Sequence, residues 1–255
     1  MLNGLTLEAQ PVREVEDSIA FYLNTIEKWS LYNYDSRLDK EDSNTVWNNK
    51  LLSYLKYALV RHPQTLSYPF DSKILPRMRI ASSNDKRFRI YSWDMQGGGT
   101  MHGYNSIVQY KSGKEVRTRI FYVDTIMNGE WTGPGYFYPE VHTIVSKNGS
   151  TYYAVIRLAQ YSSAVHSVGV QCFAINNGLV NDTVKLFKTK NGYLNSIDVE
   201  YDDTELKEMT KVPEIHFSSD NTEMYIPLID NDRYKGKYLV YKFDGYKFVY
   251  DKNGK

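Results

Sequence analysis

The chain has 255 residues, enough for one large domain or two small ones with a substantial buried core. Its 31 basic and 30 acidic residues leave a formal charge of +1, so no whole-molecule field draws it to nucleic acid or to an anionic membrane. The single cysteine, Cys172, excludes an internal disulfide framework and any thiolate cluster, and 23 tyrosines mark a β-rich composition.

Residues 12–29 place Val15, Ile19, Tyr22, Leu23, Ile26 and Trp29 at the three- and four-residue spacings of an amphipathic helix. The charged stretch "DSRLDKEDS" reads as a solvated connection. A second helix is expected to start after Asp42 and Ser43, either of which can cap it, with a stripe of Trp47, Leu51, Tyr54, Leu55 and Ala58 and a stop at Pro63. Residues 1–72 therefore read as a helical pair whose apolar faces cover a following β domain, residues 73–255.

In that domain "KSGK", "KNGS", "INNG", "KNGY" and "FDGY" each separate two β-prone runs, the chemistry of tight hairpins. Cys172 lies within one such run, "VGVQCFAI", and reads as a small buried apolar residue. Strand openings at Pro76, Pro139 and Pro213 are 63 and 74 residues apart, and turns at Gly113, Gly178 and Gly245 are 65 and 67 apart. Two markers in step predict repeats at about 76–138, 139–212 and 213–255, each a four-strand antiparallel meander. In the first the strands are expected at 77–82, 87–94, 104–111 and 114–123; in the third, at 214–219, 222–229, 237–243 and 246–251. The longer second repeat has room for an additional hairpin at "KNGYLNSIDVEY". The predicted fold is mainly β and propeller-like, with a large barrel or sandwich as the alternative.

In an up-and-down meander alternate connections share one end. Short turns close one end, while "DMQGGGTMHG", "AQYSSAVHS", "IDNDRYKG" and "MNGEWTGPGYFYPE" gather at the other, where a binding site is expected. The triple glycine is not read as a phosphate loop, because "YNSIVQY" after it alternates as a strand and opens no helix. His102 and His166 occupy equivalent loops. Glu140 with His142, and Glu214 with His216, share an E-x-H spacing that puts both side chains on one strand face, a pattern able to ligate a metal. Arg77 and Arg79 stand there in the first repeat, so the pairs read as solvent-facing residues and no metal is assigned.

No H-E-x-x-H, G-x-S-x-G, P-loop or EF-hand pattern occurs, and no motif calls for a cofactor. Trp93, Tyr104, Trp131, Tyr136, Phe137 and Tyr138, beside Asp94, Asn105 and Glu130, compose an aromatic, polar surface suited to a sugar ring or a peptide. The expected ligand residues are Trp93, Asp94, His102, Tyr104, Trp131, Tyr136, Tyr138 and His166.

The run "SSNDKRFRIYSWDMQGGGTMH" and the closing "YLVYKFDGYKFVY" resemble a group of uncharacterised β-rich proteins of the bacterial cell envelope. The resemblance implies no reaction and no catalytic residue; it implies a periplasmic or surface protein whose leader has been removed, where the residues alone leave a cytoplasmic location open. No run approaches the ~18 apolar residues of a membrane-spanning helix, and the N-terminus lacks the apolar core of a signal peptide. Two functions are carried forward: a non-catalytic binding protein for a glycan or peptide, and a glycan hydrolase with Asp94, Glu140 or Glu214 in acid-base roles.

Overall fold

The structure, a computed structural model, describes residues 6–32, 40–97, 99–122, 126–127, 130–131, 134–202, 204, 214–230 and 233–252. Gly98, Pro213, residues 231–232 of the third loop and most of the segment between the two predicted helices lie outside the described residues. The protein is mainly β, with two N-terminal helices and antiparallel sheets. No described helix is long and apolar enough to cross a membrane.

Helix α1 (Thr6–Lys28) buries Val15, Ile19, Leu23 and Ile26, and α2 (Lys40–Arg61) buries Leu51, Leu52, Leu55, Ala58 and Leu59. These positions repeat every three or four residues, so each helix turns one stripe inward. Helix α2 begins earlier than expected, and Asp42 and Ser43 lie inside it rather than capping it. Charged sequence reads as a linker by pattern, yet acidic residues are stabilising in a first helical turn. Pro63 lies just beyond the helix and opens a 3₁₀ turn, Pro63–Leu66.

The chain divides into two compact units, residues 1–82 with 86–138, and residues 83–85 with 139–255. In the first, β1 (Met78–Ser82), β2 (Phe88–Asp94), β3 (Tyr104–Ser112) and β4 (Glu115–Tyr122) pair in chain order, and β5 (Ile126–Met127) pairs with β6 (Glu130–Trp131). Side chains alternate between the two faces, and one row meets the helices. Arg89 Nη1 and Tyr91 Oη reach the Thr65 carbonyl, Trp93 Nε1 donates to Asn48 Oδ1 at 3.0 Å, and Gln109 Nε2 donates to the Leu59 carbonyl at 2.7 Å. These four side chains are thereby tied to helix and turn oxygens, which fixes the register of the helical layer on the sheet.

The second unit begins within β7 (Phe137–Val145) and continues through β8 (Thr151–Gln160), β9 (Val165–Asn176) and β10 (Leu179–Asn181). The short β11 (Phe187–Thr189) and β12 (Gly192–Leu194) form a hairpin, followed by β13 (Ser196–Asp202) and β14 (His216–Phe217). The last strands are β15 (Glu223–Asp230), β16 (Arg233–Phe243) and β17 (Phe248–Asp251). One sheet has the order β10-β9-β8-β7 with β13 also on β9; the other has the order β12-β11-β17-β16-β15-β14. In the latter sheet the pairing of β11 with β17 is parallel and the others are antiparallel. None of these sheets closes on itself, and no propeller closure is present among the described residues.

The core of the second unit holds Val170, Cys172, Phe187, Met224, Ile226 and Phe248. Cys172 is fully buried, and burial pushes its thiol well up from the ordinary range. The native protein is therefore expected to leave a chromogenic disulfide reagent unreacted in mildly alkaline buffer and to titrate one thiol after denaturation; rapid reaction of the native protein would refute this burial. On the β8–β9–β13 face, Arg157 forks onto Asp198, with Nε 2.7 Å from Oδ1, and also donates to Gln171 Oε1. A Cβ at 169 would lie 2.0 Å from Asp198 Oδ1, so any larger residue there displaces the carboxylate that Arg157 holds.

Three strand-to-strand turns share one hydrogen bond. Ser83 Oγ donates to Asp85 Oδ1, Ser146 Oγ to Asn148 Oδ1 and Ser218 Oγ to Asp220 Oδ1. In the latter two the same Asx oxygen accepts the backbone N–H two residues on, from Ser150 and Thr222, each at 3.1 Å. These bonds hold the Asp220 carboxyl down at about 2.

Candidate functional site

The described residues bring the largest group of the expected ligand side chains together where β2 leaves the first sheet and β3 re-enters it. Asp94 and Tyr104 are cross-strand partners at the end of the ladder, so their side chains share a face. Residues 95–103 are closed at their base by Met95 N–H donating to the Gly103 carbonyl at 2.8 Å.

This loop is held by helix-derived groups. Asn48 Nδ2 donates to the Met95 carbonyl at 2.9 Å, and Asn44 Nδ2 donates to the same oxygen at 3.0 Å. Ser30 Oγ donates to Gln96 Oε1, and Leu31 N–H donates to the Gln96 carbonyl at 2.9 Å. Gln96 has φ +58°, a left-handed conformation that costs a residue with a side chain and persists only where neighbours impose it. Here five bonds from the α1 terminus and α2 supply that constraint. The loop start is thus preorganised.

Above it, Asp94 organises a small cluster. Its Oδ1 accepts the Gln96 N–H at 2.7 Å and the Tyr32 hydroxyl at 3.1 Å, while its Oδ2 lies 2.6 Å from His102 Nδ1. An ionised carboxylate only accepts, so the imidazole carries its proton on Nδ1, and in the neutral ring Nε2 is left as an acceptor. Nε2 has no hydrogen-bond partner among the described residues, and neither has the Tyr104 hydroxyl. The Tyr32 ring lies 4.9 Å from the His102 ring, Tyr104 lies 6.3 Å from it, and Phe137 lies 5.7 Å from Tyr104. Burial, then the charge of Asp94, pushes the Tyr104 phenol up to about 12 and the Tyr32 phenol higher still. Both remain neutral hydroxyls near neutral pH.

The segment before β7 crosses the start of β3. Tyr104 N–H donates to the Pro134 carbonyl at 2.8 Å, and Tyr138 N–H donates to Ser92 Oγ at 3.1 Å. Gly135 permits the crossing: its φ is +74°, and a Cβ would stand 2.4 Å from the Tyr104 carbonyl oxygen.

Of the residues expected from sequence, Asp94, His102 and Tyr104 meet here. Trp93 does not, because alternation turns it to the opposite face, where it is fully buried against α2. Its place is structural, as is that of Tyr138, which packs at 4% exposure against Phe121 and Tyr136. Tyr136 is half-buried beside Tyr138. Asn105 points to the helix side with Trp93; it is buried, and neither atom of its amide has a hydrogen-bond partner among the described residues. The side chains of Glu130 and Trp131 lie outside the described residues. His166 belongs to the second unit, half-buried and stacked on Tyr201 at 5.7 Å. Tyr32 is the residue that the sequence pattern missed: its partner Asp94 is 62 positions away, and no local signal marks it.

The E-x-H pairs lie in the second unit. His142 Nε2 is 3.2 Å from Glu140 Oε2, its Nδ1 is 2.9 Å from Asn221 Oδ1, and its ring stacks on Phe217 at 4.1 Å. Both of its nitrogens are occupied. His216 is exposed and stacks on Tyr225 at 4.7 Å, and Glu214 precedes the strand. Among the described residues, no three His, Cys, Asp or Glu side chains are grouped to hold a metal ion.

No protein-family model matches the chain, and a comparison with curated proteins finds no match either.

Proposed function

We propose that this is a non-catalytic binding protein of the cell envelope, and that its first unit holds a glycan at His102 and Tyr104. The observation that carries the proposal is the unpartnered pair of polar positions, His102 Nε2 and the Tyr104 hydroxyl, set among the rings of Tyr32, Tyr104 and Phe137, with His102 oriented by Asp94. A sugar hydroxyl can donate to Nε2, a second can accept from Tyr104, and the C–H face of the ring can lie against an aromatic ring. The envelope location rests on the sequence resemblance. The hydrolase alternative finds less support in the bonding of Asp94, whose two oxygens orient His102 and receive Tyr32 and Gln96 instead of facing a scissile bond.

We also read the three Ser-x-Asx turns as marks of one four-strand unit used repeatedly, in the manner of propeller blades.

The binding proposal is tested on an array of oligosaccharides and peptides with wild type, His102→Ala and Tyr104→Phe. Wild type is expected to bind glycans, and each variant to lose about tenfold or more in affinity, the scale of one hydrogen bond left unmade in a desolvated site. Peptide binding without glycan binding would give the wrong ligand class. Equal binding by His102→Ala would remove His102 from the site.

A further inference from the structure

We infer that the outer face of the helical pair is a self-association surface, on which a second copy of this chain packs its α2 against α1 and its α1 against α2. The buried stripes of the two helices are turned inward, and the opposite face is not the polar one that a solvated helix pair presents. Phe21 is 58% exposed and Tyr57 62%, and Val46 and Val60 are exposed beside them. The Phe21 ring lies 6.0 Å from Trp47, and Tyr22 lies 6.2 Å from Trp47 and 5.4 Å from Tyr54. Lys50 Nζ stands 4.0 Å over the Trp47 ring. Apolar residues exposed singly need no explanation; a contiguous group on one face marks an interaction surface.

Charge identifies the occupant. To this face α1 contributes the exposed acids Glu14 and Asp17, and α2 contributes the exposed bases Lys50 and Arg61. The helices run antiparallel: Phe21 and Tyr22 meet Trp47, while burial and then the Ser18 hydroxyl and Glu14 charge act on the Tyr54 phenol, which is pushed up. Tyr54, Tyr57 and Arg61 follow one another at the spacing of a single stripe, with Arg61 Cζ 5.9 Å from the Tyr57 ring. The acidic end of α1 and the Arg61 end of α2 are therefore at the same level. A surface acidic along one helix and basic along the other complements itself when turned over. A two-fold axis along the helices lays each α1 on the second copy's α2 at that level, bringing Glu14 of one copy to Arg61 of the other, with the Phe21 and Trp47 rings between. An anionic lipid surface would instead be repelled by Glu14 and Asp17. Each helix is about 33 Å long and about 10 Å across, so the pair offers a face on the scale of the ~800 Å² per partner that a stable interface buries.

The experiment is sedimentation velocity across the micromolar range with wild type, Phe21→Glu, Glu14→Arg and Arg61→Glu, with circular dichroism as the check on folding. All three positions are exposed on helices, and the new residues are good helix formers. Wild type is expected to dimerise, and Phe21→Glu to weaken the dimer by on the order of tenfold or more, because it sets a charge in the centre of the interface. Glu14→Arg and Arg61→Glu are each expected to weaken it by about tenfold, since each sets like charges together at two symmetric contacts. An equal mixture of these two variants restores pairing, because the mixed dimer has opposite charges at both contacts, an outcome that no contact within one copy can produce. A wild type that stays monomeric overturns the inference. A dimer indifferent to Phe21→Glu, or one that the mixture fails to restore, overturns this face and this pairing.

Discussion

Replacing Trp93 with alanine is expected to remove about 3 to 5 kcal/mol of stability from the first unit, the range for truncating a large buried aromatic residue. Trp93 is fully buried, and its indole N–H is held by Asn48 Oδ1, itself within α2. The loss therefore has two parts. A void opens between sheet and helices, and the Asn48 oxygen is left buried without its donor. Trp93→Phe separates them, because it keeps most of the apolar contact and removes the N–H; it is expected to cost about 1 to 3 kcal/mol, the penalty for a buried acceptor left unsatisfied. Since a domain is held by only about 5 to 15 kcal/mol, the alanine variant should unfold at a visibly lower urea concentration. A midpoint close to wild type would mean that Trp93 does not tie α2 to β2.

Gly135→Ala is the second large effect, and it reaches the site. At φ +74° an alanine is strained by its own backbone, and its Cβ would need to occupy space 2.4 Å from the Tyr104 carbonyl oxygen. That oxygen belongs to a strand and cannot swing aside as a side-chain tip can. The crossing segment must lift, which breaks the Tyr104 N–H bond to the Pro134 carbonyl. Strain and the lost bond together are expected to cost about 2 to 4 kcal/mol. The displaced Phe137 ring should weaken glycan binding beyond what the stability loss explains. Gly135→Asn distinguishes the two causes, since asparagine tolerates positive φ but still carries a Cβ. Rescue by asparagine, measured by thermal melting, would show that the dihedral matters and the close approach does not.

The sheet of the first unit was legible because its signals are local. Strands predicted at 77–82, 87–94, 104–111 and 114–123 are found at Met78–Ser82, Phe88–Asp94, Tyr104–Ser112 and Glu115–Tyr122, since period-two alternation and glycine turns act within a few residues. The helical stripes were legible for the same reason. The identity of the buried face was not. Trp93 and Asp94 are neighbours beside a glycine-rich loop, and choosing which one faces the helices requires Asn48, 45 residues earlier. Asp94 and His102 flank one short loop and so stand close in sequence, yet Tyr32 comes from a stretch whose pattern says nothing about a carboxylate 62 positions on. The parallel contact of β11 with β17 is equally nonlocal: Phe187 meets Phe248 across a separation that no turn chemistry announces.

The serine–Asx turns bear on how the chain finds its structure. Each bond spans two residues, from Ser83 to Asp85, from Ser146 to Asn148 and from Ser218 to Asp220, so closing each turn orders very little chain. Hairpins of this kind close on a scale of about 1 to 10 μs. Proteins rich in nonlocal strand pairings fold slowly because loop-closure entropy is spent before the contacts that offset it are made. Three short, self-satisfied turns, spread along a chain of this length, give the β region separate places to start.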